Sequence, residues 1–580
     1  MSEYVETEIS EFPKEWEVKR LKDIVIKAKM GGTPRRNISE YWNGNIPFVK
    51  IQDMTESGKY LYTTKEFITE KGLEKSNAWI VPKDSLLLAI YGSVGSIAIN
   101  KISVATNQAI VGIIPKNSIV NTEFLYYWYL YFKPYWYKFI KKGTQPNLTL
   151  GIVLDSPVPL PPLEEQKKIV ETLQKASEIH SVLKDYITQA RDNINSLRRK
   201  IIGELVTKGI GHEEFNETEI CEFPKEWEVK RLSEIAELQR GLSYSGKEKS
   251  SKEIPDGYLF LTLNSIREGG GLKEDGWTWI KSDRLKERHF VREGDIVIAN
   301  TEQSKDGSLI GSPAIVHFPE WYKKEKAVYS HHISKLTLKI NKIDINFLFY
   351  YLSFAQPLAR KYHTGTGVWG LNTDSWAKDL SVPIPPLEEQ KKIVETLQKA
   401  DELYTQLNDF LQNMENEADS LFKSILRFAV TGRLTENWRK QITLLRSLVI
   451  PYIVYQASKI KGRPVYMTEL MKYLFLLQKE YNINLAYNFE PYKYGPFTPQ
   501  VYRDLEDLKD KVEVKEVKDD VDKSLITSKE LPQLDQNIAN AINDLLNRFG
   551  NKNLKELLAY VYKKYPEYTV RSELNLDDFK

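Results

Sequence analysis

The residues that could carry chemistry are few, and each fails on spacing. Residues 241–248 (GLSYSGKE) come within one residue of a phosphate-binding loop, but Glu248 stands where a Ser or Thr must offer its hydroxyl to Mg²⁺. A carboxylate there repels phosphate, so nucleotide binding is excluded. His331 and His332 could ligate a metal, yet adjacent residues of a strand point to opposite faces and no third ligand accompanies them. Cys221, the one cysteine in 580 residues, excludes an intrachain disulfide and a zinc site of several thiolates, and fits a reducing compartment. No catalytic residue, metal or cofactor is expected.

Composition narrows the remaining classes. Lys and Arg number 82 against 79 Asp and Glu, a net charge of +3, so any nucleic-acid contact must come from local patches. The N-terminus is acidic, and the longest uncharged stretch, residues 85–100, is broken by Gly and Ser. Neither a signal peptide nor a spanning helix is expected, which gives no membrane and a cytoplasmic location. The length predicts three to five domains.

A repeat organises them. Residues 11–21 (EFPKEWEVKRL) return unchanged as 222–232, and residues 161–176 (PPLEEQKKIVETLQKA) return unchanged as 385–400. The offset is 211 at the first anchor and 224 at the second, so the second copy carries a net 13 more residues between them, where the copies diverge. Beyond the second anchor the offset holds at 224 without a gap, as a continuous helix requires, because one inserted residue would rotate everything after it by ~100°. Pro161 and Pro162 start that helix, Glu164 and Glu165 suit its positive end, and Gly209 and Gly432 mark the two ends.

Apolar residues follow in alternating steps of four and three. The first copy has Ile169, Leu173, Ala176, His180, Leu183, Ile187, Ala190, Ile194, Leu197 and Ile201; the second has Ile393, Leu397, Ala400, Tyr404, Leu407, Leu411, Met414, Ala418, Leu421 and Ile425. These are heptad seams, predicting two helices of about 45 residues packed on each other as an antiparallel coiled coil. His180 and Tyr404 are layers of the seam without a chemical role. Between the anchors, β-branched and aromatic residues punctuated by Gly, Asn and Pro predict strands, then a Tyr/Trp-rich helix from Glu123.

Residues 31–54 (GGTPRRNISEYWNGNIPFVKIQDM), a Gly-Thr turn in each copy, and VPLPPLEEQKKIV with its partner VPIPPLEEQKKIV together resemble the specificity subunit of type I restriction-modification systems over residues 10–434. The resemblance implies two target-recognition domains, each reading one half of a split double-stranded DNA site. It also implies that the helices fix the spacing and dock methyltransferase subunits, with restriction-translocase subunits beyond them. No methyltransferase Asn/Asp-Pro-Pro-Tyr/Phe signature or helicase motif is present, so the chain is expected to be non-catalytic. Loop-borne cations and polar groups suit phosphate positioning and base reading. The candidates are Arg35, Arg36, Lys50, Tyr91, Lys141 and Lys142 in the first copy, and Arg240, Ser243, Tyr244, Lys247, Asn300, Gln303, Lys361 and His363 in the second.

Residues after 434 read as helices around a charged, valine-alternating hairpin, which suggests a winged-helix-like module. The stretch MTELMKYLFLLQKEY and the turn at Tyr494, Gly495, Pro496 and Phe497 resemble the Panacea domain of SocA-like antitoxins, which implies partner binding. The expected fold is α+β: target-recognition domains at 1–157 and 211–381, helical regions at 158–210 and 382–434, and a Panacea-like or winged-helix-like extension at 435–580. The alternative function is a stand-alone DNA-binding regulator or antitoxin-like adaptor.

Overall fold

The computed structural model describes residues 4–6, 9–139, 148–218, 221–273, 275–302, 307–365, 368–517 and 520–574. It is a mixed α+β fold of short strands in several sheets, two helices of 46 and 44 residues, and a helical C-terminal region. The chain divides into two units, residues 1–182 with 417–580, and residues 183–416.

In the first unit a five-stranded sheet runs in the order Val25–Met30, Ile110–Pro115, Leu86–Ala89, Ile97–Asn100, Tyr60–Leu61. A second sheet orders Glu66–Ile68, Trp42–Val49, Val104–Thr106 and Ile80–Val81. Leu86–Ala89 and Ile97–Asn100 are buried at every position, which is why they read as apolar runs rather than alternation. The helix Thr122–Phe132 is capped by the Asn121 side chain and buries Trp128, Tyr129 and Phe132 beneath the sheet.

The second unit repeats this plan. Ala236–Arg240, Ile333–Leu338, Ile296–Ala299 and Pro313–Ile315 form one sheet. Thr278–Ile280, Tyr258–Leu261, Lys326–Tyr329 and Phe290–Arg292 form another in the order of their first-unit counterparts, to which the longer second copy adds Lys249–Ser250. Asp344 caps the aromatic helix Ile345–Ala355 as Asn121 caps its counterpart.

The unchanged anchor sequences have a common physical cause. Each long helix, Leu163–Lys208 and Leu387–Val430, begins with a buried Gln that ties it to the turn before the aromatic helix. Gln166 donates to the Ile119 and Pro161 carbonyls and accepts from the Asn121 amide. Gln390 does the same with Lys342, Pro385 and Asp344. One residue earlier, Glu165 accepts from the Trp16 indole at 3.0 Å and Glu389 from the Trp227 indole at 3.1 Å. A buried polar group without such a partner would cost about 1–3 kcal/mol, so these identities travel together.

The long helices meet in each unit. In the first, His180 lies 2.7 Å from Asp419 and stacks on Phe422, with ring centroids 5.0 Å apart. In the second, Arg198 pairs with Asp401 at 2.7 Å and Tyr404 donates to Asn195 at 2.7 Å. Ile169, Leu173, Ile187, Ile393, Leu397 and Leu411 are buried, and Leu183, Ile201 and Ile425 half-buried. Leu197, Leu407 and Leu421 correct the expected seam, being 58%, 38% and 62% exposed. Arg198, Asn408 and Phe422 occupy the half-buried places one residue later. The departures are local, since Ile201 follows Leu197, and Leu411, Ala418 and Ile425 follow Leu407, at their own seam places with the side chain buried or half-buried.

The C-terminal region packs Glu436–Lys461, Met467–Glu480, Gln536–Phe549 and Leu554–Lys564 around one apolar core. Asp520–Ser528 pairs antiparallel with Val512–Val517 and Val465–Tyr466. Inside it the buried Glu469 carboxylate pairs with Lys461 at 3.0 Å and Arg463 at 2.8 Å and accepts from the Tyr466 amide. Among the described residues no helix is long and apolar enough to cross a membrane.

Candidate nucleic-acid interface

In the first unit the loop after Val25–Met30 turns through Gly31 and Gly32, where close approach forbids a side chain: a Cβ on Gly31 would lie 1.9 Å from the Thr106 carbonyl oxygen. Beyond it Arg35 is exposed. Arg36 lies over the Trp42 ring at 3.8 Å and pairs with Glu66 at 2.8 Å. Lys50 pairs with the same carboxylate, so one acid holds two of the candidate cations. Burial would raise the Glu66 carboxyl, but Lys50 and Arg36 together hold it below the usual carboxylate range. Tyr91 is half-buried against the core. Lys141 and Lys142 lie outside the described residues.

In the second unit Arg240, Ser243 and Lys247 are exposed around the corresponding turn. Tyr244 is edge-on to Phe260 at 4.8 Å and to His331 at 5.9 Å. Lys361 and His363 are also exposed, and His363 stacks on Trp369 at 4.2 Å. Gln303 lies outside the described residues.

The two sets sit on one backbone plan. Gly31, Gly32, Ile90 and Asn107 donate their amides to the carbonyls of Ile110, Thr106, Ala109 and Val49. Gly241, Leu242, Asn300 and Ser330 donate to Ile333, Tyr329, His332 and Leu261 in the same pattern. A duplicated scaffold thus presents different polar side chains at matching places, as recognition of two different surfaces requires.

The sequence model of the type I restriction modification DNA specificity domain matches residues 13–189 and 224–413, more than half of the chain and both copies of the repeat. The chain belongs to this specificity family. It is 35% identical over 254 residues to the type I restriction enzyme MjaIX specificity subunit of Methanocaldococcus jannaschii, covering 41% of this chain and 56% of that one. It is 27% identical over 432 residues to the MjaVIII specificity subunit of the same organism, covering 73% and 93%. The chain thus spans just over half the length of the first relative and nearly all of the second. A chain solved in a study of complex assembly and conformational transition of the type I restriction-modification system shares the fold, with a TM-score of 0.55 at 20% identity over 72% of this chain and 98% of that one.

For this specificity chain several sequence expectations need correction. Asn300, a candidate surface reader, is fully buried. Its amide group donates to Ser334 Oγ at 2.8 Å, and its backbone accepts from Leu371, because it continues from a fully buried strand. His331 and His332 are not on opposite faces of a strand. They lie in the turn before Ile333–Leu338, their rings 3.9 Å apart. The Glu248 carboxylate accepts from the Ser245 amide and pairs with Arg284 at 2.6 Å; Arg284 above all holds its pKa at about 2. That carboxylate occupies the amide a phosphate would need. Burial pushes the Cys221 thiol up to about 12, removing it as a nucleophile at neutral pH.

Sequence reasoning missed two partners of these loops. Thr33 Oγ1 donates to Gln108 at 2.5 Å in the first unit, and Thr301 Oγ1 meets His332 Nδ1 at 2.9 Å in the second. Both link strands far apart in sequence, and only the shared backbone pattern aligns them.

Proposed function

We propose that this protein is the DNA-recognition subunit of a type I restriction-modification complex. Residues 1–157 and 211–381 each read half of a split site, and the helical regions 158–210 and 382–434 hold the halves at a fixed spacing. The duplicated scaffold carrying unlike exposed side chains is the observation that carries this reading. Arg35, Arg36, Lys50, Arg240, Lys247 and Lys361 contact phosphates, while Tyr91, Ser243, Tyr244 and His363 face the grooves, as their donor chemistry suits.

The two long helices form an antiparallel coiled coil. Supporting this, the pairs His180–Asp419 and Arg198–Asp401 rise along one helix as they fall along the other. Methyltransferase subunits dock on the faces the seam leaves open. Leu403 and Phe410 are 56% and 60% exposed on the second helix, and Ile179 and Tyr186, each 224 positions earlier, are 69% and 65% exposed on the first. Equivalent apolar faces suit two copies of one partner. The chain performs no chemistry, and restriction subunits join through the methyltransferase.

The extension, residues 435–580, is an interaction module, Panacea-like or winged-helix-like. Supporting this, Gly495 adopts φ +85° in the Tyr-Gly-Pro-Phe turn, and buried Lys472 donates to the Pro496 carbonyl at 2.8 Å.

Co-purification tests the assembly. Leu403→Asp with Phe410→Asp should lose methyltransferase while leaving the far-ultraviolet circular dichroism unchanged. Retention of the partner at parental stoichiometry rejects docking on that face.

A further inference from the structure

We infer that Gln108 and His331 are paired specificity-determining residues, one for each half-site of the DNA. The inference deepens the recognition function proposed above and rests on it. The backbone pattern shared by the two units places Gln108 on His331. Asn107 and Ser330 donate to matching strand ends, and Ile110 and Ile333 donate back to the carbonyls of Asn107 and Ser330. Each residue therefore sits at the same point of a turn closed from both sides.

That turn is rigid for a visible reason. Gly31 and Gly241 press against the strands leading into it: a Cβ on Gly241 would fall 2.2 Å from the Tyr329 carbonyl oxygen, as one on Gly31 would fall 1.9 Å from that of Thr106. A side chain carried there is held in place before DNA arrives, which is what a base reader needs. Neither residue is a fixed cation, so neither is a simple phosphate contact. Amide and imidazole both offer directional donors and acceptors.

Their surroundings assign roles to the individual atoms. Gln108 is exposed, and its Oε1 is taken by the Thr33 hydroxyl. Its Nε2 has no partner among the described residues, leaving the amide hydrogens to meet an acceptor such as guanine O6 or N7, adenine N7 or thymine O4. His331 is half-buried, edge-on to Tyr244 and against the His332 ring, and its Nδ1 is buried without a hydrogen-bond partner. That leaves Nε2 as the atom able to reach a base. The same backbone position carries an amide in one unit and an imidazole in the other, as two unlike half-sites demand.

The test is methylation-motif sequencing in cells carrying the methyltransferase partner with the parent chain, Gln108→Ala or His331→Ala. Q108A should relax discrimination at one or more bases of one half-site by on the order of 10- to 100-fold and leave the other half-site intact. H331A should do the reverse. Variants that methylate the parental motif with parental stringency overturn the inference while leaving the recognition function standing. A parent chain that directs no motif overturns both. Should an alanine variant fail to assemble, Gln108→Asn and His331→Gln keep a polar group at the turn and carry the same two outcomes.

Discussion

Glu165 and Arg439 form a buried ion pair, Oε1 to Nη1 at 2.6 Å, that fastens the C-terminal module to the start of the first long helix. The same carboxylate accepts from Thr435 and from the Trp16 indole. In the other copy of the repeat, Glu389 accepts from the Trp227 indole and meets His212 at 2.7 Å. The socket is duplicated but the side chain that fills it differs. His212 follows the end of the first long helix, and Arg439 follows the end of the second. The module thus enters the fold through a position the repeat already provides.

Arg439→Met should destabilise the first unit by about 3–5 kcal/mol, because it leaves a buried carboxylate without its cation. Burial already pushes the Glu165 carboxyl above its ordinary range, and loss of Arg439 removes the strongest opposing influence. Glu165→Gln added to Arg439→Met should recover part of that loss. Denaturant unfolding of Arg439→Met, Glu165→Gln and the double variant measures the coupling, and additive effects would deny the pair any energetic role.

Acid should weaken the C-terminal module through Glu469. Burial alone would raise this carboxyl, but Arg463, the Tyr466 amide and Lys461 hold it below the usual value. A folded-state pKa below the unfolded one gives stability that is present above an unfolded value of about 4.3 and is lost as pH falls through the folded one. Glu469→Gln should flatten the pH dependence of unfolding over that window. An unaltered slope would show that other carboxylates govern it.

The local exposure of Leu407 beside buried Leu411 predicts unequal costs for two similar leucines. Leu411→Ala, at a buried position, should cost roughly 2–4 kcal/mol, whereas Leu407→Ala, at an exposed one, should stay within about 0.5 kcal/mol. Thermal unfolding separates them, and equal losses would restore the strict heptad.

Arg35→Ala with Arg36→Ala should weaken binding to the cognate site and make the slope of log affinity against log salt shallower by up to about 1.8, if both contact phosphate. Fluorescence anisotropy between 50 and 200 mM salt, roughly the range over which such contacts are felt, reads both quantities. An unchanged slope removes this loop from the phosphate contacts.

Much of this fold was legible because the chain repeats itself. Proline and glycine bracketed the long helices, which run Leu163–Lys208 and Leu387–Val430. Local chemistry decides such boundaries, so the sequence carries it. The burial of Asn300, the departure of Leu197 from the seam and the meeting of Glu165 with Arg439 depend on tertiary packing. The Gln108–His331 equivalence was hidden for another reason. The two loops share no residues, only a pattern of backbone hydrogen bonds.

Single-molecule methylation sequencing of DNA from the host with and without this gene tests the recognition function most directly. Deletion should abolish adenine methylation at one split motif, whose two halves and spacer are then read directly, and restoring the gene should restore it. A methylome unchanged by deletion, in cells that express the cognate methyltransferase, would contradict it.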